Sequence, residues 1–501
     1  MKKLSILLLC AALCLGALTG CGDIVIDPAP TPAPADAPPT PLPVDVIDAP
    51  DNAPKGAEIT LEGTGARIHG SGVSASGSVV TISSPGSYSV KGILDDGCII
   101  VNTGEVKGDV TLTLRGADIT CLTGPAIHVI EAKNFDLVLE NGTENRLVSG
   151  SPDSVPDVKQ DGAALFCEDD LDILGSGSLV ICGYLNNGIT CKDDLDIKDG
   201  TISVTAVNNG VKGSESVEIL GGSLSVRAGN DGVKATSAKK EGKGFVSIEG
   251  GTLEITAGGD GISAESALTI SGGELRVTST GESDGSSKAV KAKTLLTVSG
   301  GTLVLESRDH ALHCTGDILL SGGTLSIVSH EGKGVSAHGA LELCGSTLDV
   351  ESADDGLEAE ESILISDGVV RLLAGADGLK AGSKNGDGAG TLTVAGGSVT
   401  LSAYGDPFDA KGGAVITGGE FSAVGSPKTP QGFSDGSTQR SLFFALSGAK
   451  DSSAEILDAS GGRIGAIEAR CGYTCAVFSR PELAPGRYTL KLGTLSASAE
   501  A

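Results

Sequence analysis

From about residue 165 the chain repeats itself. A Gly-Gly turn followed by Thr, Ser or Glu and then Leu, Val or Phe recurs every 22 residues. Its second position falls at Gly177, Gly200, Gly222, Gly251, Gly273, Gly301, Gly323, Ser346, Gly368, Gly397 and Gly419, and three of the steps are lengthened by six or seven residues. A unit this short cannot bury an apolar face of its own, so successive units must stack. Each unit reads as three short alternating strands, as in Leu253-Glu254-Ile255, Ile262-Ser263-Ala264 and Leu268-Thr269-Ile270, with Gly, Asp and Ser in the turns between.

The ladders that stacking would create are visible along the chain. Leu224, Leu253, Leu275, Leu303, Leu325 and Leu348 share one inward position, and Val226, Ile255, Val277, Leu305, Ile327 and Val350 the next. Cys167, Cys191, Gly213, Ala235, Ala264, Ala292, Cys314, Ala337, Ala359 and Ala381 make a third ladder of small residues. The leucine-rich signature and the nonapeptide calcium roll are absent. The expected fold is therefore all-β, a right-handed parallel β-helix solenoid with about 22 residues per coil. Residues 58–440 are assigned to this domain, with Glu58 to Ser149 as less periodic first coils and a cap, and residues 441–501 to a C-terminal β cap.

The amino end is of another kind. Lys2 and Lys3 precede an apolar run, Leu4 to Leu18, closed by Leu18-Thr19-Gly20-Cys21. This reads as a bacterial lipoprotein signal over residues 1–20, with Cys21 as the lipidated first residue of the mature chain. Residues 21–57 follow as a tether. Ten of the 27 residues from Pro28 to Pro54 are proline, which favours extended polyproline II at about 3.1 Å per residue, a reach of up to about 85 Å. The expected location is the extracellular face of the bacterial membrane, with the chain anchored through Cys21 as a monomer.

Acids outnumber bases 64 to 36, for a formal net charge of −28. Such a surface repels phosphate backbones, so nucleic acid is not an expected partner; cations and neutral or weakly charged polymers are. Nine cysteines follow Cys21, and Cys167, Cys191 and Cys314 belong to the core ladder, where they read as small hydrophobes. Cys471 and Cys475 have the spacing to pair or to share a metal, with no histidine nearby to complete a site.

One turn of each unit carries chemistry. The residue before the turn glycine, or its replacement, runs Asn187, Asn209, Asp231, Asp260, Lys288, His310, Lys333, Asp355, Asp377. In register, neighbouring rungs lie about 4.8 Å apart, so Asp231 faces Asp260 and Asp355 faces Asp377. Two carboxylates at that spacing repel by about 3 kcal/mol at an effective dielectric of about 20. Ca²⁺ would relieve this, with Asn209, Asn230, Asp231 and Asp260 at one site and Asp354, Asp355, Asp377, Asp406 and Asp409 at another. Pairing with Lys212, Lys234 and Lys380, two positions after the turn glycine, would relieve it as well, and Asn-Gly and Asp-Gly are also ordinary turn formers. The basic run Lys288, His310 and Lys333 separates the two acid groups. Insertions at Lys239 to Gly244 and Ser383 to Gly388 leave the coil at one corner, beside each acid group.

Several stretches resemble the clostridial family of carbohydrate-binding β-helix proteins, whose fold is similar to that of pectate and polysaccharide lyases. They are Asp169-Asp170-Leu171-Asp172-Ile173 with Gly175-Ser176-Gly177-Ser178-Leu179, Asn187-Gly188-Ile189 with Asp193-Asp194-Leu195, Gly210-Val211-Lys212-Gly213, and Asp231-Gly232-Val233-Lys234-Ala235. The resemblance spans about Glu58 to Ala501. It implies binding of cellulosic or pectic polysaccharide, with calcium on the helix and no established catalysis. Lys288, His310, Lys333 and Pro407 depart from the acidic pattern, which puts calcium at those rungs in question.

Three functions follow. The first is a lipid-anchored polysaccharide-binding protein; with no Trp in the chain, affinity would come from many hydrogen bonds and from cation bridges to polyuronates. The second is a calcium-dependent pectate lyase, for which Lys380 beside Asp355 and Asp377, or Lys234 beside Asp231, would be the base. The third is a surface adhesin or spacer without a sugar ligand.

Overall fold

The computed structural model describes residues 56–158, 162–282, 287–383, 389–427 and 431–501. The signal segment, Cys21, nearly all of the tether, and residues 384–388 of the second insertion lie outside these. Every regular element among the described residues is a β-strand.

Strands pair in parallel with their equivalents one repeat on rather than with their chain neighbours. Thr252–Ala257 pairs with Glu274–Ser279, setting Leu253 beside Leu275 and Ile255 beside Val277. Ile262–Ala264 pairs with Val290–Ala292, and Ala267–Ile270 with Leu295–Val298, with Ala264 beside Ala292 and Ile270 beside Val298. These parallel ladders build a 28-stranded long sheet and a 15-stranded short sheet. The lengthened steps leave the register intact: Ala235 meets Ala264, and Ala381 meets Ala410. Because side chains alternate across a strand, in-register pairing stacks like on like. Leu253, Leu275, Leu303, Leu325 and Leu348 are each 2% exposed or less, and Cys167, Cys191 and Cys314 are fully buried.

The glycine that marks the repeat is required by its backbone. Gly251, Gly273 and Gly301 have φ of +87°, +90° and +86°, and a Cβ on Gly273 would lie 2.9 Å from the carbonyl oxygen of Gly251 on the previous rung. At Ser346, and again at Gly368, a single strand runs through this position, Ala340–Ser352 and Ser362–Ala374, and the two pair with a register shift at Cys344.

At the amino end, Ala57–Gly63 pairs antiparallel with Ala66–Gly70, and Val73–Ser76 with Val79–Ile82, before the parallel register takes over. At the other end, Glu420–Gly425 is met antiparallel by Tyr473–Ser479, which also takes Ser441–Gly448. The rest of the tail is a four-stranded antiparallel sheet with its own core of Phe444, Ile456, Ile467, Tyr488 and Leu490. It lies against the flank of the long sheet as well as at the end. The Arg470 N–H donates to Ser402 Oγ (3.0 Å), and its guanidinium reaches Glu351 (3.2 Å).

Candidate functional site

Each short-sheet strand of the repeat is three to five residues long, and in it one side chain between two core positions points away from the core. In-register pairing makes these one continuous column. It runs His128, Phe166, Thr190, Lys212, Lys234, Ser263, Lys291, His313, Ser336, Glu358, Lys380 and Asp409. The turn residues read from the sequence form a second column beside it.

That second column is a hydrogen-bonded ladder in which a side-chain acceptor on one rung takes the backbone N–H of the equivalent residue on the next. Asn187 Oδ1 accepts from Asn209 N–H (3.0 Å), Asn209 Oδ1 from Asp231 N–H (3.2 Å), Asp231 Oδ1 from Asp260 N–H (2.8 Å), and Asp260 Oδ1 from Lys288 N–H (3.0 Å). His310 Nδ1 takes the Lys333 N–H (3.0 Å); Asp355 Oδ1 takes that of Asp377 (3.1 Å), and Asp377 Oδ1 that of Asp406 (2.9 Å). The Asn230 amide donates to Asn209 Oδ1 (3.1 Å), and the Asp354 carbonyl accepts from Ala376 N–H (3.1 Å). Asp409 sits in the outward column next to Lys380.

The second carboxylate oxygen goes to a lysine of the outward column. Lys234 Nζ reaches Asp231 (2.6 Å), Lys291 reaches Asp260 (2.9 Å), and Lys380 reaches Asp355 (2.8 Å). Asp231, Asp260 and Asp355 are 5%, 3% and 1% exposed, so these pairs are held in low dielectric. Burial works to lower the pKa of Lys380, but the Asp355 bond and the surrounding carboxylates outweigh it and the net shift is upward. The ammonium is therefore fixed as a cation at neutral pH, the wrong state for a general base.

The donor set at Asp231, Asp260 and Asp355 does not fit calcium in this arrangement, since each carboxylate already divides its oxygens between an N–H and an ammonium. Asp377 differs. Lys380 turns to Asp355 rather than to it; burial, then the neighbouring Asp355 and Asp409, push its carboxyl up, against the Asp406 N–H bond. Among the described residues no three His, Cys, Asp or Glu side chains form a ready metal-binding group.

Between the acid groups the column changes character. Lys288 pairs with Asp309 (2.7 Å), and Lys333 with Glu358. The rings of His310, His313 and His338 lie 5.5 and 5.3 Å apart in sequence. Burial, with nearby Lys288, pushes His313 down to about 3, and burial takes His310 to about 4, so both imidazoles are neutral hydrogen-bonding groups at pH 7. The insertion at Lys239 to Gly244 folds back on earlier rungs: Lys243 reaches Asp194 (2.6 Å) and Glu215 (3.2 Å).

A second acidic surface lies on the long sheet, where Asp136, Asp172, Asp196 and Glu218 fall in register. With Asn134, Asp170, Asp194 and Lys198, the last three of these acids line an open groove of about 330 Å³. Burial, then Asp172 and Glu218, push Asp196 up to about 6. Sequence reading did not mark this surface, nor Lys291, Glu358 or His313. The signal was present, because each occupies the repeat position of a residue already singled out.

The chain matches the sequence profile of the family described as carbohydrate-binding domain-containing protein over residues 76–332 and 323–451. A protein of that description from Acetivibrio thermocellus is 33% identical over 137 residues, 27% of this chain and 48% of the relative, so the chain spans about half the length of the curated relative it matches. A solved structure described as a polysaccharide lyase-like protein from C. thermocellum, in a gadolinium derivative, aligns with 30% identity and a TM-score of 0.42, over 53% of this chain and 96% of the other. With profile matches running from residue 76 to residue 451, this chain belongs to the carbohydrate-binding domain-containing protein family.

Proposed function

We propose that the chain is a non-catalytic polysaccharide-binding protein of the cell surface, a right-handed parallel β-helix of about 22 residues per coil carried as a monomer on a lipid anchor at Cys21. The observation that carries this reading is the outward column of the short sheet, which keeps Lys212, Lys234, Lys291 and His313 partly exposed on its rungs, with Thr190, Ser263 and Ser336 buried among them. Rungs about 4.8 Å apart present donors and acceptors at regular intervals to a polymer that itself repeats. Lys donates without accepting, and neutral His does both, which matches the hydroxyl and carboxylate groups of cellulosic and pectic chains.

Calcium belongs to this proposal at Asp377, the carboxylate that Lys380 leaves to the Asp406 N–H, with Asp406 and Asp409 gathering round it only once the ion binds. There it would supply charge neutralisation and a bridge to a uronate. A lyase reading would need Lys380 or Lys234 as base, and both are engaged by Asp355 and Asp231. The test is retention of the purified chain on cellulose and on polygalacturonate, with calcium and with EDTA, alongside absorbance of unsaturated uronides. Retention on at least one polymer without unsaturated product is expected. Retention on neither, under both conditions, would leave the spacer reading standing.

A further inference from the structure

The first rungs hold a pair of thiols that the polysaccharide reading does not use. Strand Cys98–Asn102 begins, and strand Val110–Cys121 ends, at one corner. Two hydrogen bonds stitch that corner together: Gly97 N–H to the Thr120 carbonyl (2.8 Å), and Leu122 N–H to Asp96 Oδ1 (3.0 Å). Cys98 and Cys121 directly follow the first bonded pair, and each thiol is the largest influence on the other's pKa, raising that of Cys98 and lowering that of Cys121. Both backbones are anchored on the outer side as well, Cys98 N–H to the Ser78 carbonyl (3.1 Å) and the Cys121 carbonyl to Gly150 N–H (2.8 Å).

A disulfide requires Cα atoms about 4.4–6.8 Å apart and β-carbons facing each other. Backbones joined at the preceding residues set the two cysteines side by side, as that requirement demands. Cys167 and Cys191 also sit side by side on neighbouring rungs, but both are 0% exposed inside the core ladder. Cys98 is partly exposed and Cys121 is 8% exposed, so a soluble oxidant can reach this corner.

We propose that Cys98 and Cys121 are a redox site, closed to an intramolecular disulfide by exchange with a low-molecular-weight disulfide. Cys121 is the attacking sulfur, because the neighbouring Cys98 thiol, and then the Thr123 and Gly124 amides, hold its pKa down to about 6 against the effect of burial. The thiolate attacks one sulfur of RS–SR, forming a Cys121–S–SR bond and expelling RS⁻. Cys98 then gives up its proton, its sulfur attacks that of Cys121, and the second RS⁻ leaves. Two protein thiols lose two electrons and two protons, and one RS–SR becomes two RSH. The closed bond would staple the start of one strand to the end of the next, locking the first rungs.

The test treats the full chain with oxidised glutathione, alkylates first natively and then under denaturation, and maps the peptides by mass. The expected product is one cross-linked peptide joining Cys98 to Cys121, two hydrogens lighter, and reopened by excess thiol. Cys98→Ser should stop at a stable glutathione adduct on Cys121. Cys121→Ser should react at Cys98 more slowly by roughly tenfold or more, as the lost thiolate fraction requires. Both cysteines remaining alkylatable after oxidation, or a bridge between any other pair, would overturn the proposal. The mapping on unsubstituted protein decides this whether or not either serine variant folds.

Discussion

Replacing Asp355 by Asn isolates the ion pair in the acid ladder from its hydrogen-bonded rail. Asn keeps an Oδ1 to accept the Asp377 N–H, at 3.1 Å in the parent, but turns an amide NH₂ toward the Lys380 ammonium that Oδ2 had bound at 2.8 Å. Removing one partner of a buried pair costs about 3–5 kcal/mol. Lys380 retains Glu358 at 3.9 Å and is 18% exposed, which puts the cost near the low end, about 3 kcal/mol. Asp355→Ala should add about 1–3 kcal/mol by leaving the Asp377 N–H without its acceptor. Where each strand pairs with its equivalents one repeat away, such losses stay near the rung concerned, so amide hydrogen exchange is the suitable assay. Exchange at Asp377 and Gly356 should accelerate by about 10²-fold in Asp355→Asn, while Asp355→Asn with Lys380→Met should return most of the loss. Because the folded pKa of Lys380 is raised, its contribution should be complete at neutral pH and vanish as pH climbs above the ordinary 10.5 through the folded value. Exchange at Asp377 within twofold of the parent, or a double variant that loses about as much as the two single changes added together, would refute the assignment.

Asp377 carries the opposite sign: its raised carboxyl makes the folded state lose stability as pH rises from its unfolded to its folded pKa, so Asp377→Asn should raise the thermal midpoint at pH 7. The same change should abolish any rise in midpoint on adding calcium, which scanning calorimetry can follow. Asp196, pushed up to about 6, predicts a midpoint that rises as pH falls from 7.5 to 5.5, and Asp196→Asn should flatten that dependence. Gly273→Ala should cost about 1–3 kcal/mol in urea unfolding, because φ of +90° and a carbonyl 2.9 Å from the new Cβ both oppose it. Leu303→Ala, at a fully buried rung of the leucine ladder, should cost about 2–5 kcal/mol, and an unchanged urea midpoint would contradict the core assignment.

Much of the candidate site was legible because the repeat is a ruler. Positions 22 apart in sequence became neighbours, and the insertions shifted the numbers without shifting the register, as Ala235 against Ala264 illustrates. The same ruler would have drawn attention to Lys291, which stands where Lys234 and Lys380 stand and holds Asp260. Its turn lacks the glycine used as the marker, Ala289 being in that place. The division of each carboxylate between an N–H and an ammonium was not legible. Alternation says which way a side chain points, but not whether a lysine reaches its own rung's acid, as Lys234 does, or the previous one, as Lys291 and Lys380 do. The tail was less legible still. Its antiparallel strands alternate like any others, and what they lean on depends on side chains such as Ser402 and Glu351, far away in the chain.

By itself, then, the sequence determined the repeat, its period and the contents of three inward ladders, because stacking near-identical units leaves one low-energy register and alternation does the rest. Only the tertiary structure decided the charge states and partners on the outer face. Those depend on angstrom differences in reach and burial between groups that the repeat places equally close, and in low dielectric such differences determine whether two acids facing each other take a lysine, a backbone amide or a metal ion.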